Sequence, residues 1–215
     1  MIYAVLGALA LGVLPSSVEG LRLVAAAQTK DVAGGSTSVR ATAPIKINAA
    51  PLREFLVRSN RLKEQGKLDL SVPREITIDA DRDEAGLLSN VAYTGASVAN
   101  GNFKKVAQDF VVSLNTGHAL NFLQDVSHVR MTFTLDGERF RAQTTSDTPS
   151  DTRAAEMARG YRSMINIGRI VKRGGDEAVV LNNMKVSASG KQLVMNLDMP
   201  RQAMGNLLLK QITPH

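Results

Sequence analysis

From Pro51 onward the chain switches repeatedly between two hydrophobic periods, and the switching lays out a fold. Pro51 to Lys67 sets Leu52, Phe55, Leu56 and Leu62 near one helical face. Pro51 takes the first turn, where its missing N–H costs nothing, and Gly66 lies near the end. Ile76, Ile78 and Ala80 then alternate with Glu75, Thr77 and Asp79, the period of a strand with one buried face. A second short strand is predicted over Asn90 to Thr94. Phe103, Val106, Ala107, Phe110, Val111 and Leu114 follow at helical spacing, closed by Gly117.

The same plan recurs twice. Val129, Met131, Phe133 and Leu135 alternate with polar residues, Asp136-Gly137 predicts a hairpin, and Phe140, Ala142 and Thr144 alternate on the return. Ser150 or Asp151 offers an N-cap to a helix carrying Ala154, Met157, Ala158, Tyr161, Met164, Ile165 and Gly168, which ends at Gly174-Gly175. In the third round Met184 to Ala188 turns at Ser189-Gly190 and returns through Leu193, Met195 and Leu197. Pro200 is expected to open a last helix with Met204, Leu207, Leu208 and Ile212. The fold class is therefore α+β. Three strand-strand-helix units predict a mainly antiparallel sheet of about six strands with helices packed on one face. No long crossover suggests a doubly wound nucleotide-binding sheet.

The first 50 residues follow neither period. Met1 to Leu14 carry no charge and stop at Pro15, which fits the apolar core of an export signal better than a full bilayer span. Ala25-Ala26-Ala27 resembles a cleavage site, but Glu19 and Arg22 intervene and favour a retained anchor. Residues 28–50, rich in Gly, Ser, Thr and Ala, read as a flexible linker. The expected organisation is an anchor or export signal over 1–27, a linker over 28–50 and an extracytoplasmic domain over 51–215. That places the protein at the cell membrane with its domain in the periplasm or otherwise outside the cytoplasm, or free there if the segment is cleaved.

Composition narrows the chemistry. The absence of cysteine in 215 residues removes disulfides, thiolate metal sites and a cysteine nucleophile. The net charge of +6 is concentrated in residues 151–215, a distribution that attracts anionic partners. DADRDEAG, Asp79 to Gly86, has acids at calcium-loop spacing, yet Glu84 stands where an EF-hand needs glycine and Asn90 where it needs a bidentate glutamate. It reads as a solvated hairpin turn. Its acids, beside Arg82, are expected to stay ionised rather than to act as a catalytic pair. His118 and His128 lack metal-site spacing, no serine sits in GxSxG, and Gly190-Lys191 lacks the upstream glycine of a phosphate loop. No catalytic, cofactor-binding or metal residue is assigned, and no cofactor is implied.

The best surface candidate is the helix bearing Arg159, Arg162, Arg169, Lys172 and Arg173, whose basic side chains suit an anionic lipid surface. Nucleic acid ranks last, since the Phe and Tyr residues mostly take core positions and leave no stacking platform.

ITIDADRDEAGLLSNVAYTG followed by an amphipathic helix resembles the strand, acidic turn, strand and helix start of TonB-type C-terminal domains. EFLVRSNRLKEQGKLDLS, LNFLQDVSHVRMTFTLDGERFRA and VSASGKQLVMNLDMPR are similar to uncharacterised bacterial proteins with an N-terminal membrane segment and one extracytoplasmic domain. The resemblance implies location and architecture, with no residue role attached. The expectation is a non-catalytic envelope protein whose domain binds a protein or peptide, by strand addition at a sheet edge. Two alternatives are a hydrolase-type enzyme joining His118 or His128 to a carboxylate, and a peripheral binder of anionic lipid.

Overall fold

A computed structural model describes residues 47–212, so the expected anchor and nearly all of the linker lie outside the described residues. The elements run α1 (Ala50–Glu64), β1 (Arg74–Arg82), β2 (Leu88–Thr94), α2 (Gly101–Thr116), β3 (His128–Leu135) and β4 (Arg139–Asp147). They continue α3 (Asp151–Val171), α4 (Asp176–Asn182), β5 (Met184–Ser189), β6 (Gln192–Pro200) and α5 (Arg201–Ile212). The six strands form one sheet in the order β2-β1-β3-β4-β6-β5, with every neighbouring pair antiparallel. The α+β architecture read from the periodicity is the architecture observed.

Alternation explains why the sheet has one covered face. Ile76, Ile78, Val129, Met131, Phe133, Phe140, Leu193, Met195 and Leu197 are all buried and point to the side where the helices lie. Phe110 of α2 joins the layers, with ring centroids 5.6 Å from Phe55 of α1 and 5.8 Å from Phe133 of β3. Two of the helices start at side-chain caps. Asn100 accepts the N–H groups of Asn102 and Phe103, and Ser150 accepts that of Arg153. At the entry to the domain, the Asn48 N–H donates to the Gly117 carbonyl at 2.8 Å. Only glycine fits at 117, because an added Cβ would lie 2.5 Å from the Asn48 oxygen.

Four details depart from the sequence reading. Asp81, like Asp79, lies within β1 rather than in the turn, which spans Asp83 to Leu87 and is held by the Leu87 N–H on the Asp83 carboxylate at 2.8 Å. Arg82 is not beside solvated acids but buried. It keeps the inward parity of Ile76, Ile78 and Ala80 and donates to the carbonyls of Leu120, Val126 and Asp83. The short helix α4 fills the stretch after Gly175, where no element was expected, and begins with Asp176 and Glu177 in its first turn, favourable to the helix dipole. Pro200 closes β6 opposite Arg139 rather than opening α5.

Candidate functional site

The uncovered face of the sheet is polar. On it the β1–β3 register sets Asp79 against Arg130 and Asp81 against His128. His128 lies between two carboxylates, its Nε2 2.9 Å from Asp79 Oδ1 and its Nδ1 3.1 Å from Asp81 Oδ1. Arg130 Nε meets the other Asp79 oxygen at 2.5 Å, and Asn90 Nδ2 donates to Asp81 Oδ2 at 2.8 Å. The Asn90 and His128 hydrogen bonds hold the Asp81 carboxyl below its usual range. The structure thus joins a histidine to acids, but both ring nitrogens are engaged. The aspartate oxygens aim at those nitrogens rather than at a common point, and among the described residues no set of three such side chains forms a metal site.

This grouping is a cross-strand ion ladder. A cavity of about 30 Å³, room for about one water, lies at the other end of the sheet, lined by Leu68, Leu70, Phe103, Phe133 and Phe140 among others. His118, the other internal histidine, sits at positive φ (48°) with its Nδ1 buried and unpartnered, away from this ladder.

The five basic residues on and after α3 separate into two groups. Arg169 is committed to the fold. Its guanidinium donates to the Leu181 carbonyl at 2.8 and 3.0 Å and to the Met184 carbonyl at 3.1 Å, capping the end of α4. Lys172 approaches Glu177 at 3.6 Å. Arg159, Arg162 and Arg173 are exposed and make no hydrogen bond or ion pair among the described residues.

The two sheet edges also differ. At β5, Met184 and Val186 are buried, α3 packs against the strand, and Arg169 takes the Met184 carbonyl. The start of this edge is thus occupied, while Lys185 and Ser187 to Ser189 are exposed. At β2, among the described residues, only one end is occupied, where the Asn115 side chain accepts the Leu88 N–H at 2.8 Å and donates to its carbonyl at 2.9 Å. Beyond it a bulge places Asn90 and Val91 opposite Ala80, and regular pairing resumes from Ala92 to Thr94. The Ser97 N–H bonded to the Glu75 carbonyl shows that the odd-numbered residues of β1 face β2. Ala92 and Thr94, opposite Asp79 and Thr77, are therefore the hydrogen-bonded residues, and Tyr93 directs its N–H and C=O outward. Ala92 and Thr94 are exposed, Val91 and Tyr93 half-buried.

No family model, curated protein or solved structure matches the chain. The site therefore rests on geometry alone. Sequence reasoning missed Arg82 and Tyr93. The first was readable from strand parity, whereas the second required knowing that β2 lies at an edge.

Proposed function

We propose that the domain is a non-catalytic binding module of the cell envelope, of the kind its sequence resembles, which captures an extended protein or peptide segment at the free edge of β2. The observation that carries this reading is the outward N–H and C=O of Tyr93 on a strand open from Val91 to Thr94. Strand addition draws affinity from main-chain hydrogen bonds and selectivity from alternate side chains. The half-buried Val91 and Tyr93 supply an apolar contact on the helix side, and the exposed Ala92 and Thr94 a small, flat one on the other. The envelope location rests on the uncharged apolar run from Met1 to Leu14.

The test is selection of a displayed random-peptide library on the full chain, followed by hydrogen exchange with the best binder. Protection is expected to rise at the Tyr93 amide, with Tyr93→Pro abolishing capture. A binder that protects only helix amides, or the β5 edge, would contradict the proposal.

A further inference from the structure

The outer face of α3 combines exposed aliphatic side chains with unpaired arginines. Ile167, Ile170 and Val171 are 57%, 75% and 71% exposed, and they fall at i, i+3 and i+4, so they form one contiguous aliphatic surface. At 3.6 residues per turn, Arg159 and Arg162 lie along one flank of that surface, with Arg173 just past the helix end. Nearby acids do not offset them. Glu156 pairs with Arg153, Asp176 with Lys210 and Glu177 with Lys172, which leaves Asp151 at the opposite end of the helix. Among the described residues the three arginines are thus unneutralised beside exposed aliphatics.

We infer that this face of α3 seats on an anionic membrane surface, with Ile167, Ile170 and Val171 entering the headgroup layer and Arg159, Arg162 and Arg173 against lipid phosphates. An amphipathic surface helix binds through these two contributions together, apolar insertion and attraction to anionic headgroups. A second copy of the chain fits less well, because a twofold pairing of this face would set the same unpaired arginines against each other. Arg169 and Lys172 take a different part. They fasten α3 to α4 and so hold the presenting face rigid.

The absence of cysteine makes a single label unambiguous. Ser163→Cys, on the exposed face one turn before Ile167, would carry an environment-sensitive fluorophore in the full chain. Glu138→Cys in the β3–β4 turn serves as the distant control. With phosphatidylcholine vesicles containing phosphatidylglycerol, the label at 163 is expected to shift to the blue and to resist aqueous quenching, while the label at 138 stays unchanged. High salt reverses the shift. Arg159→Gln with Arg162→Gln should lower the inserted-to-free ratio roughly thirtyfold, about fivefold per arginine.

Since the label reports contact by α3 itself, attachment through the N-terminal segment does not mimic the signal. An equal shift in purely phosphatidylcholine vesicles, or one indifferent to the arginine substitutions, would overturn the inference. So would a concentration-dependent shift without vesicles, which would assign the face to a second copy.

Discussion

Arg82 does the work of several residues. Its side chain is 7% exposed, and it ties β1 to both ends of the loop between α2 and β3. Gly86 completes the contact by letting that loop approach, since a Cβ there would lie 2.8 Å from the Asn121 backbone. Arg82→Met keeps the volume but leaves carbonyls without their donor, and a loss of roughly 3 kcal/mol is expected in urea unfolding. Tyr161 anchors the same loop through its hydroxyl on the Phe122 carbonyl at 2.7 Å, and burial pushes the phenol up to about 12.

A surface acid offers a cleaner titration. Asp136 accepts the N–H groups of Arg139 and Glu138 and pairs with Arg141, which hold its carboxyl below the ordinary 3.8. A lowered folded pKa means that its stabilisation is complete above the ordinary value and is lost as pH falls through the folded one. The Tm difference between the wild type and Asp136→Ala is therefore expected to be constant near neutrality and to shrink below about pH 4.

Among the elements, β2 depends on a side chain to finish its edge. Asn115 stands at Leu88 where the next strand would stand, donating and accepting as a backbone unit does. Asn115→Ala should cost about 1–2 kcal/mol and lengthen the open edge. Faster exchange of the Leu88 amide, together with increased self-association, would register it. The strands β1, β3, β4 and β6 were legible from alternation because burial on one face imposes a period of two, β2 was expected but starts two residues earlier at Leu88, and the longer helices were legible from their apolar stripes. α4 was not legible, since seven residues give too few turns for a period to show. The proximity of His128 to Asp79 and Asp81 was likewise hidden. Parity puts all three on one face, but only the β1–β3 register, a pairing across more than forty residues, brings them together.

Across the whole molecule the two proposed contacts lie at opposite edges of the sheet, β2 on one side and α3 over β5 on the other. Five inter-strand steps separate these edges by roughly 24 Å. Charge follows the same axis, with Glu75, Asp81, Asp83 and Glu84 exposed on or beside β1 and the unpaired arginines on α3. A domain resting on α3 would hold its open strand away from the lipid.

The clip between Asn48 and Gly117 has a mechanical meaning. Among the described residues, tension arriving from the N-terminal side meets the Asn48 hydrogen bond first and then α1, which is fastened to α2 and α5 by packed side chains rather than by the strand ladder. Side-chain packing at a helix end yields by peeling, a few contacts at a time, whereas β1 is bonded to strands on both sides and must give way all at once. Under load the first helix would act as a fuse, releasing slack while the sheet, and the edge it presents, stays whole.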